Sequence, residues 1–237
     1  MKKNKALFIL GGMGPEASNY MYETLIKISI QKFGAKNNDD YPEIILNSVP
    51  VPDFISSDKF KNKALKMLVE RVEQANRLNI SCISIACNTA HVLLEQLQKK
   101  SQIPFISMIE EMVKSVTKDK IKTVGLMGTP STLRYGLYQE KLIKEGIDYV
   151  VPTANQINTL ERVIRNVVAG KILKNDQDEL KKIADFLRKK GAEAIILGCT
   201  ELPLVFPKNY TLPTYNAVEV LSKALLRIYY GGNTIQR

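Results

Sequence analysis

The chain has no tryptophan, a single histidine, and only three cysteines among its 237 residues. Three scattered thiols cannot build a disulfide framework, and no C-x-x-C pair offers zinc or dithiol chemistry, so neither a metal set nor a redox motif is expected. No apolar run approaches the roughly 18 residues of a membrane-crossing helix. The start from Met1 to Leu10 imitates a secretory leader, but its apolar run is short and stops at Gly11-Gly12 without a small-residue cleavage site. It reads as a first strand. Low-complexity tracts and long linkers are missing too. Net charge is +10, from 34 Lys and Arg against 24 Asp and Glu, yet the basic residues are dispersed in pairs such as Lys99-Lys100 and Lys181-Lys182. Without a basic platform interleaved with aromatics, the excess reads as a solvated surface, with neither nucleic acid nor membrane as partner. What remains is a soluble cytoplasmic enzyme for a small molecule, long enough for one or two domains.

Strands alternate with helical patterns throughout, which is the α/β signature. Candidate strands are Ala6 to Leu10, Glu43 to Ser48, Cys82 to Ala86, Phe105 to Ser107, Thr123 to Met127, Tyr149 to Val151 and Ala194 to Leu197. Between them, 61–78 places Leu65, Leu68, Val69 and Val72 at helical spacing, and 177–190 does so with Leu180, Ile183, Ala184 and Leu187.

Two of the cysteines sit in near-copies of one local pattern. Ile80-Ser81-Cys82-Ile83-Ser84-Ile85-Ala86 ends in Cys87-Asn88-Thr89-Ala90-His91, and Ala192-Glu193-Ala194-Ile195-Ile196-Leu197-Gly198 ends in Cys199-Thr200-Glu201-Leu202-Pro203. Each reads as a buried strand delivering a Cys into a polar turn before a helix. In a parallel sheet that is where ligands bind, and a thiol beside helix-terminal N–H groups loses its proton easily. The glycine-ended strands Phe8-Ile9-Leu10-Gly11 and Val124-Gly125-Leu126-Met127-Gly128 precede them in the same order. Two related lobes are therefore expected, each a mostly parallel sheet flanked by helices. Residues 1–115 would carry the first Cys and 116–237 the second, with a C-terminal segment able to pack back on the first lobe.

The turn Gly11-Gly12-Met13-Gly14-Pro15-Glu16 suits a sharp strand-to-helix transition, with Pro15 at the first helical position. Its N–H groups are candidates for binding an anion. It is not G-x-G-x-x-G, and no G-K-S/T follows, so dinucleotide and P-loop readings lack support.

Together with Cys87-Asn88-Thr89-Ala90-His91, Pro104-Phe105-Ile106-Ser107-Met108-Ile109-Glu110-Glu111 and Gly198-Cys199-Thr200-Glu201, this turn resembles the aspartate/glutamate racemase family. The resemblance spans almost the whole chain. It implies a two-lobed fold with pseudo-twofold symmetry, commonly a homodimer, no cofactor, and two catalytic cysteines at the lobe interface, which by position are Cys87 and Cys199. The chemistry suits thiols. Racemisation removes the α-proton from one face and returns one to the other, and a reference pKa of about 8.5 allows one thiolate and one thiol near neutrality. Negative charge developing on the α-carboxylate needs preorganised donors. Asn88, Thr89 and Thr200 are assigned to it, and Met13, Gly14, Thr129, Ser131 and Thr132 join them as candidate substrate-binding residues. Asn88 and Thr89 could equally cap a helix. His91, about one turn after Cys87, has two roles open to it: stabilising a thiolate or a structural hydrogen bond. Glu201 either orients Cys199 or is a plain helix-start carboxylate. Cys82, inside its apolar run, reads as core.

The chain departs from the family where the substrate side chain would bind. Aspartate racemases carry an Arg after the Pro-Asp of the loop following the second strand, and a Lys before an Ala-Gly in the second half. Here Phe54 and Val168 occupy those positions. Lys59, Arg162, Arg165 and Lys171 are the nearby cations that could substitute. Aspartate or glutamate is the default substrate; a less acidic amino acid, another α-acid, or a non-catalytic carboxylate binder of the same fold are the alternatives.

Overall fold

The apolar runs become parallel strands because residues buried on both faces need helices above and below them. The structure, a computed structural model, describes residues 5–231, so the first four residues of the leader-like start lie outside it. In the first half, β1 (Ala6–Gly11), α1 (Pro15–Phe33), β2 (Ile44–Ser48), α2 (Lys61–Ala75), β3 (Ile80–Ile85), α3 (Leu94–Gln98), β4 (Phe105–Ile106) and α4 (Met108–Lys118) follow in order. The second half contains β5 (Thr123–Gly128), α5 (Pro130–Arg134), α6 (Gln139–Lys144), β6 (Asp148–Val150), α7 (Ala154–Val168), α8 (Lys174–Lys189), β7 (Ala194–Gly198), α9 (Leu202–Val205), β8 (Thr214–Asn216) and α10 (Ala217–Tyr229). Two four-stranded parallel sheets result, ordered β2-β1-β3-β4 and β6-β5-β7-β8. The expected α/β architecture is the observed one. Among the described residues, no helix is long and apolar enough to cross a membrane.

Strand alternation divides the core. Leu7 and Ile9 of β1 point into one cluster, while Phe8 and Leu10 point into another with Leu68 and Val72 of α2. The first cluster continues through Val124 and Leu126 of β5 and through Val218, Leu221 and Leu225 of α10, so a single apolar core joins both sheets. Fully burying each such side chain contributes roughly 1.5–3 kcal/mol. Helix α10 packs on α1 and α4, and α7 and α8 cover the outer face of the second sheet.

The structure adds two local details to the sequence pattern. On α2 the buried stripe is Ala64, Leu68, Val72 and Ala75, and Leu65 and Val69 are only partly buried. Strand β8 was not anticipated: Thr214-Tyr215-Asn216 is three residues long with one buried side chain, and its pairing with β7 supplies the order its own pattern lacks.

In both sheets the strand order reverses between neighbours, at β1/β3 and at β5/β7. The carboxyl ends of such pairs open a crevice. At the first, Gly12 adopts φ +87°, and a Cβ there would lie 2.5 Å from the Val49 nitrogen, so only glycine lets the chain pass.

Candidate active site

The two crevices contribute to one cleft of about 300 Å³. The β1 end supplies Gly12, Met13, Gly14 and Pro15; the β3 end supplies Cys87, Asn88 and Thr89; Thr129 follows β5, and Cys199 and Glu201 follow β7. The loop after β2 adds Val51, Pro52, Asp53, Phe54 and Ile55, and α7 adds Ile164, Arg165 and Val168. Cys87 and Cys199 thus line the same space, one from each half. Cys82 does not; it is packed in the core, where burial pushes its thiol up to about 11.

Polar groups around Cys87 are held from behind. His91 Nδ1 lies 2.8 Å from the Cys87 carbonyl, and His91 Nε2 accepts the Met108 N–H at 3.0 Å. An Nε2 that accepts leaves the proton on Nδ1, so the ring is neutral and donates to the carbonyl. Burial drives its pKa down to about 4. Of its two open roles, the geometry shows the structural one: His91 ties the Cys87 turn to the start of α4. Thr89 Oγ1 bonds Thr129 Oγ1 at 2.8 Å and Thr132 Oγ1 at 3.1 Å, linking the halves, while Thr129 caps α5 through the Thr132 N–H. Asn88 makes no capping bond. Its Oδ1 accepts from the Tyr138 hydroxyl, and its Nδ2 is buried without a partner among the described residues.

On the opposite side, Cys199 donates to Glu201 Oε2 at 3.0 Å, and Thr200 Oγ1 donates to the same oxygen at 3.0 Å. Glu201 Oε1 accepts the Gly14 N–H at 3.2 Å. The anion met by the glycine turn is therefore the chain's own carboxylate, reaching across from the second half.

The expectation of easily ionised thiols does not hold for the free protein. Burial and the Glu201 carboxylate push Cys87 up to about 12, against the pull of the Ala90 and Thr89 N–H groups. Burial and the same carboxylate, now in direct contact, raise Cys199 as well. Desolvation outweighs a few backbone donors when a charge is taken out of water.

Phe54, Ile55, Ile164 and Val168 form an apolar wall of the cleft. Arg165 alone among the four candidate cations lines the cleft, and it is engaged with Asp53 at 2.8 Å, with Glu161 and with Ser56. Arg162 pairs with buried Asp176 and with Glu179; Lys59 lies over the Phe60 ring; Lys171 is exposed. Ser131, Thr132 and Thr200 stand behind the cleft rather than in it: Ser131 donates its N–H to Ile55, and the two threonine hydroxyls bond neighbouring side chains. Tyr138 was missed, since Tyr-Gly-Leu-Tyr carries no motif and its importance comes only from facing Asn88. Among the described residues, no group of three or more His, Cys, Asp or Glu side chains is placed to hold a metal ion.

The family model described as Asp/Glu/Hydantoin racemase matches residues 10–224. The broad specificity amino-acid racemase RacX of Bacillus subtilis (strain 168) is 24% identical over 222 residues, covering 93% of this chain and 96% of that one. Among solved structures, the Picrophilus torridus aspartate racemase superposes with a TM-score of 0.82 at 26% identity, over 98% of this chain and 96% of that one. An aspartate racemase homologue from Pyrococcus horikoshii OT3 gives 0.80 at 28% identity, over 95% and 99%.

Proposed function

The chain belongs to the Asp/Glu/hydantoin racemase family, and from that membership we propose that it racemises amino acids with Cys87 and Cys199 as its two bases, without a cofactor. The observation that carries this reading is that both thiols, from separate sheets, line a single cleft beside an unpartnered Asn88 amide. A substrate α-carboxylate would satisfy that amide, and Thr89 stands next to it.

Proton transfer follows from the surroundings of each thiol. Cys87 has two N–H groups favouring its thiolate, and the arriving substrate ammonium brings the positive charge that burial makes expensive to lack. For one enantiomer, Cys87 gives up its thiol proton to water as the substrate enters, its thiolate removes the α-proton, and the Cys199 thiol delivers its own to the opposite face, leaving a Cys87 thiol and a Cys199 thiolate. In the reverse direction that Cys199 thiolate is the base and the Cys87 thiol returns the proton; where Cys199 rests as a thiol, Glu201 Oε2, already its hydrogen-bond partner, is placed to accept its proton before the transfer begins. Charge on the α-carboxylate would be met by the Asn88 N–H donors in a site with little water.

The apolar wall favours a side chain without a second carboxylate. Each charge-assisted hydrogen bond missing at Phe54 and Val168 is worth roughly 1.5–3 kcal/mol, or about ten- to a hundredfold in kcat/KM. The aspartate reading keeps one supporting observation, the presence of Arg165 in the lining. To serve a substrate, Arg165 would have to leave Asp53. The deciding experiment incubates L- and D-methionine, leucine, asparagine, aspartate and glutamate in deuterated water and reads α-deuterium by NMR, beside a Phe54→Arg variant. Exchange should be fastest for the uncharged side chains, and Phe54→Arg should shift the preference towards aspartate. Selective aspartate turnover that Arg165→Ala leaves unchanged would refute this account of the pocket, and no exchange with any amino acid would refute the racemase reading.

A further inference from the structure

The Asn88 amide is a donor towards the cleft only if its two ends are told apart, and they are nearly the same shape. We propose that Tyr138 is the positioning residue that sets this, by holding Asn88 Oδ1 so that the NH2 end faces the substrate carboxylate. The proposal rests on the racemase reading, which supplies the carboxylate.

Three features of the structure lead to it. Tyr138 is fully buried, and its hydroxyl donates to Asn88 Oδ1 across the boundary between the halves. Burial raises the phenol's pKa, so it keeps one proton that must find an acceptor. Asn88, itself 1% exposed, is one of the residues lining the cleft, and its Nδ2 is buried without a partner among the described residues. A buried tyrosine donor therefore excludes the flipped amide, whose oxygen would confront the carboxylate. The ring has its place because residue 198 is glycine: a Cβ there would lie 3.0 Å from Tyr138 Cε2. The glycine ahead of Cys199 thus serves the partner of Asn88 as well as the turn.

The test is a double-mutant cycle. Tyr138→Phe removes a single oxygen, and it is compared with Asn88→Ala, Asn88→Asp and Tyr138→Phe/Asn88→Ala. Calorimetric affinity for L-methionine and kcat/KM for its α-deuterium exchange are both measured. Tyr138→Phe should lower each by about tenfold or more while the protein stays folded, its melting temperature falling by only a few degrees, and should change the Asn88→Ala protein by less than about twofold. A tyrosine that merely fills the core would act equally in both backgrounds, which would overturn the proposal, as would wild-type kinetics for Tyr138→Phe. Should Tyr138→Phe not fold, Asn88→Asp decides: it retains an oxygen for Tyr138 but presents oxygen to the ligand. Loss as large as that of Asn88→Ala supports the assignment, and wild-type affinity overturns it. Unmodified protein that binds L-methionine without exchanging its α-proton would refute the racemase reading and leave Tyr138 to be judged by the affinities. Protein that does not bind L-methionine would overturn the positioning role too.

Discussion

The single histidine gives the protein a calculable sensitivity to acid. His91 is held neutral between the Cys87 carbonyl and the Met108 N–H, and burial lowers its pKa from 6.5 to about 4. Between those values the unfolded chain takes up a proton that the folded protein refuses. The stability contributed by neutral His91 is therefore complete above about pH 6.5 and is lost as pH falls towards about 4. At about 1.4 kcal/mol per pKa unit the whole shift is worth about 3 kcal/mol, of which roughly 2–3 kcal/mol should be gone by about pH 4.5. Urea unfolding of the wild type and of His91→Gln, near neutrality and near pH 4.5, isolates the effect. Carboxylate pairs that do not interact with the imidazole, such as Glu95–Lys99, weaken in both proteins and cancel. The wild type should lose about 2–3 kcal/mol more than the variant. With one histidine in the chain, its ring signal in an NMR titration is unambiguous, and its midpoint should lie near 4. Equal losses in the two proteins, or a midpoint near 6.5, would show that the imidazole is not held as the two hydrogen bonds imply.

Cys87→Ala and Cys199→Ala should each abolish racemisation while Cys82→Ala leaves it largely intact; near wild-type turnover by either of the first two ends the two-thiol scheme. Alkylation by iodoacetamide, followed by mass spectrometry, should mark Cys87 before Cys199 and Cys82 and should accelerate as pH rises, because Cys87 is partly exposed and its burial-raised thiol reacts as thiolate. First modification at Cys82 would contradict the burial pattern. Glu201→Gln removes the acceptor of the Cys199 proton, so kcat should fall about ten- to a hundredfold in the direction that needs Cys199 as base, and less in the other. Equal loss in both directions would leave Glu201 only its bond to Gly14.

Much of this protein was legible in the sequence because its strands are buried on both faces. A continuous apolar run such as Ala194 to Gly198 is unmistakable, and the residue after it has to emerge at the carboxyl edge of a sheet. The pairing of Cys87 with Cys199 was legible for the same reason, as a repeated strand-and-turn pattern. Thr214–Asn216 was not, since three residues with one buried side chain become a strand only by lying against β7.

Three-dimensional placement decided what the motifs left open. It divided the polar candidates into Asn88, Thr89 and Thr129 in the cleft and Ser131, Thr132 and Thr200 behind it, because the direction of a side chain depends on the turn it sits in. It engaged Arg165 with Asp53, made His91 a strut, and put Tyr138 against Asn88 from the other half of the chain. It also reversed the expected acidity of the thiols. Neighbouring N–H groups are local and can be foreseen, whereas the loss of water around each sulfur comes from tertiary packing, with Met13 and Phe54 in the cluster beside Cys87 and Ile164 and Leu202 in that of Cys199.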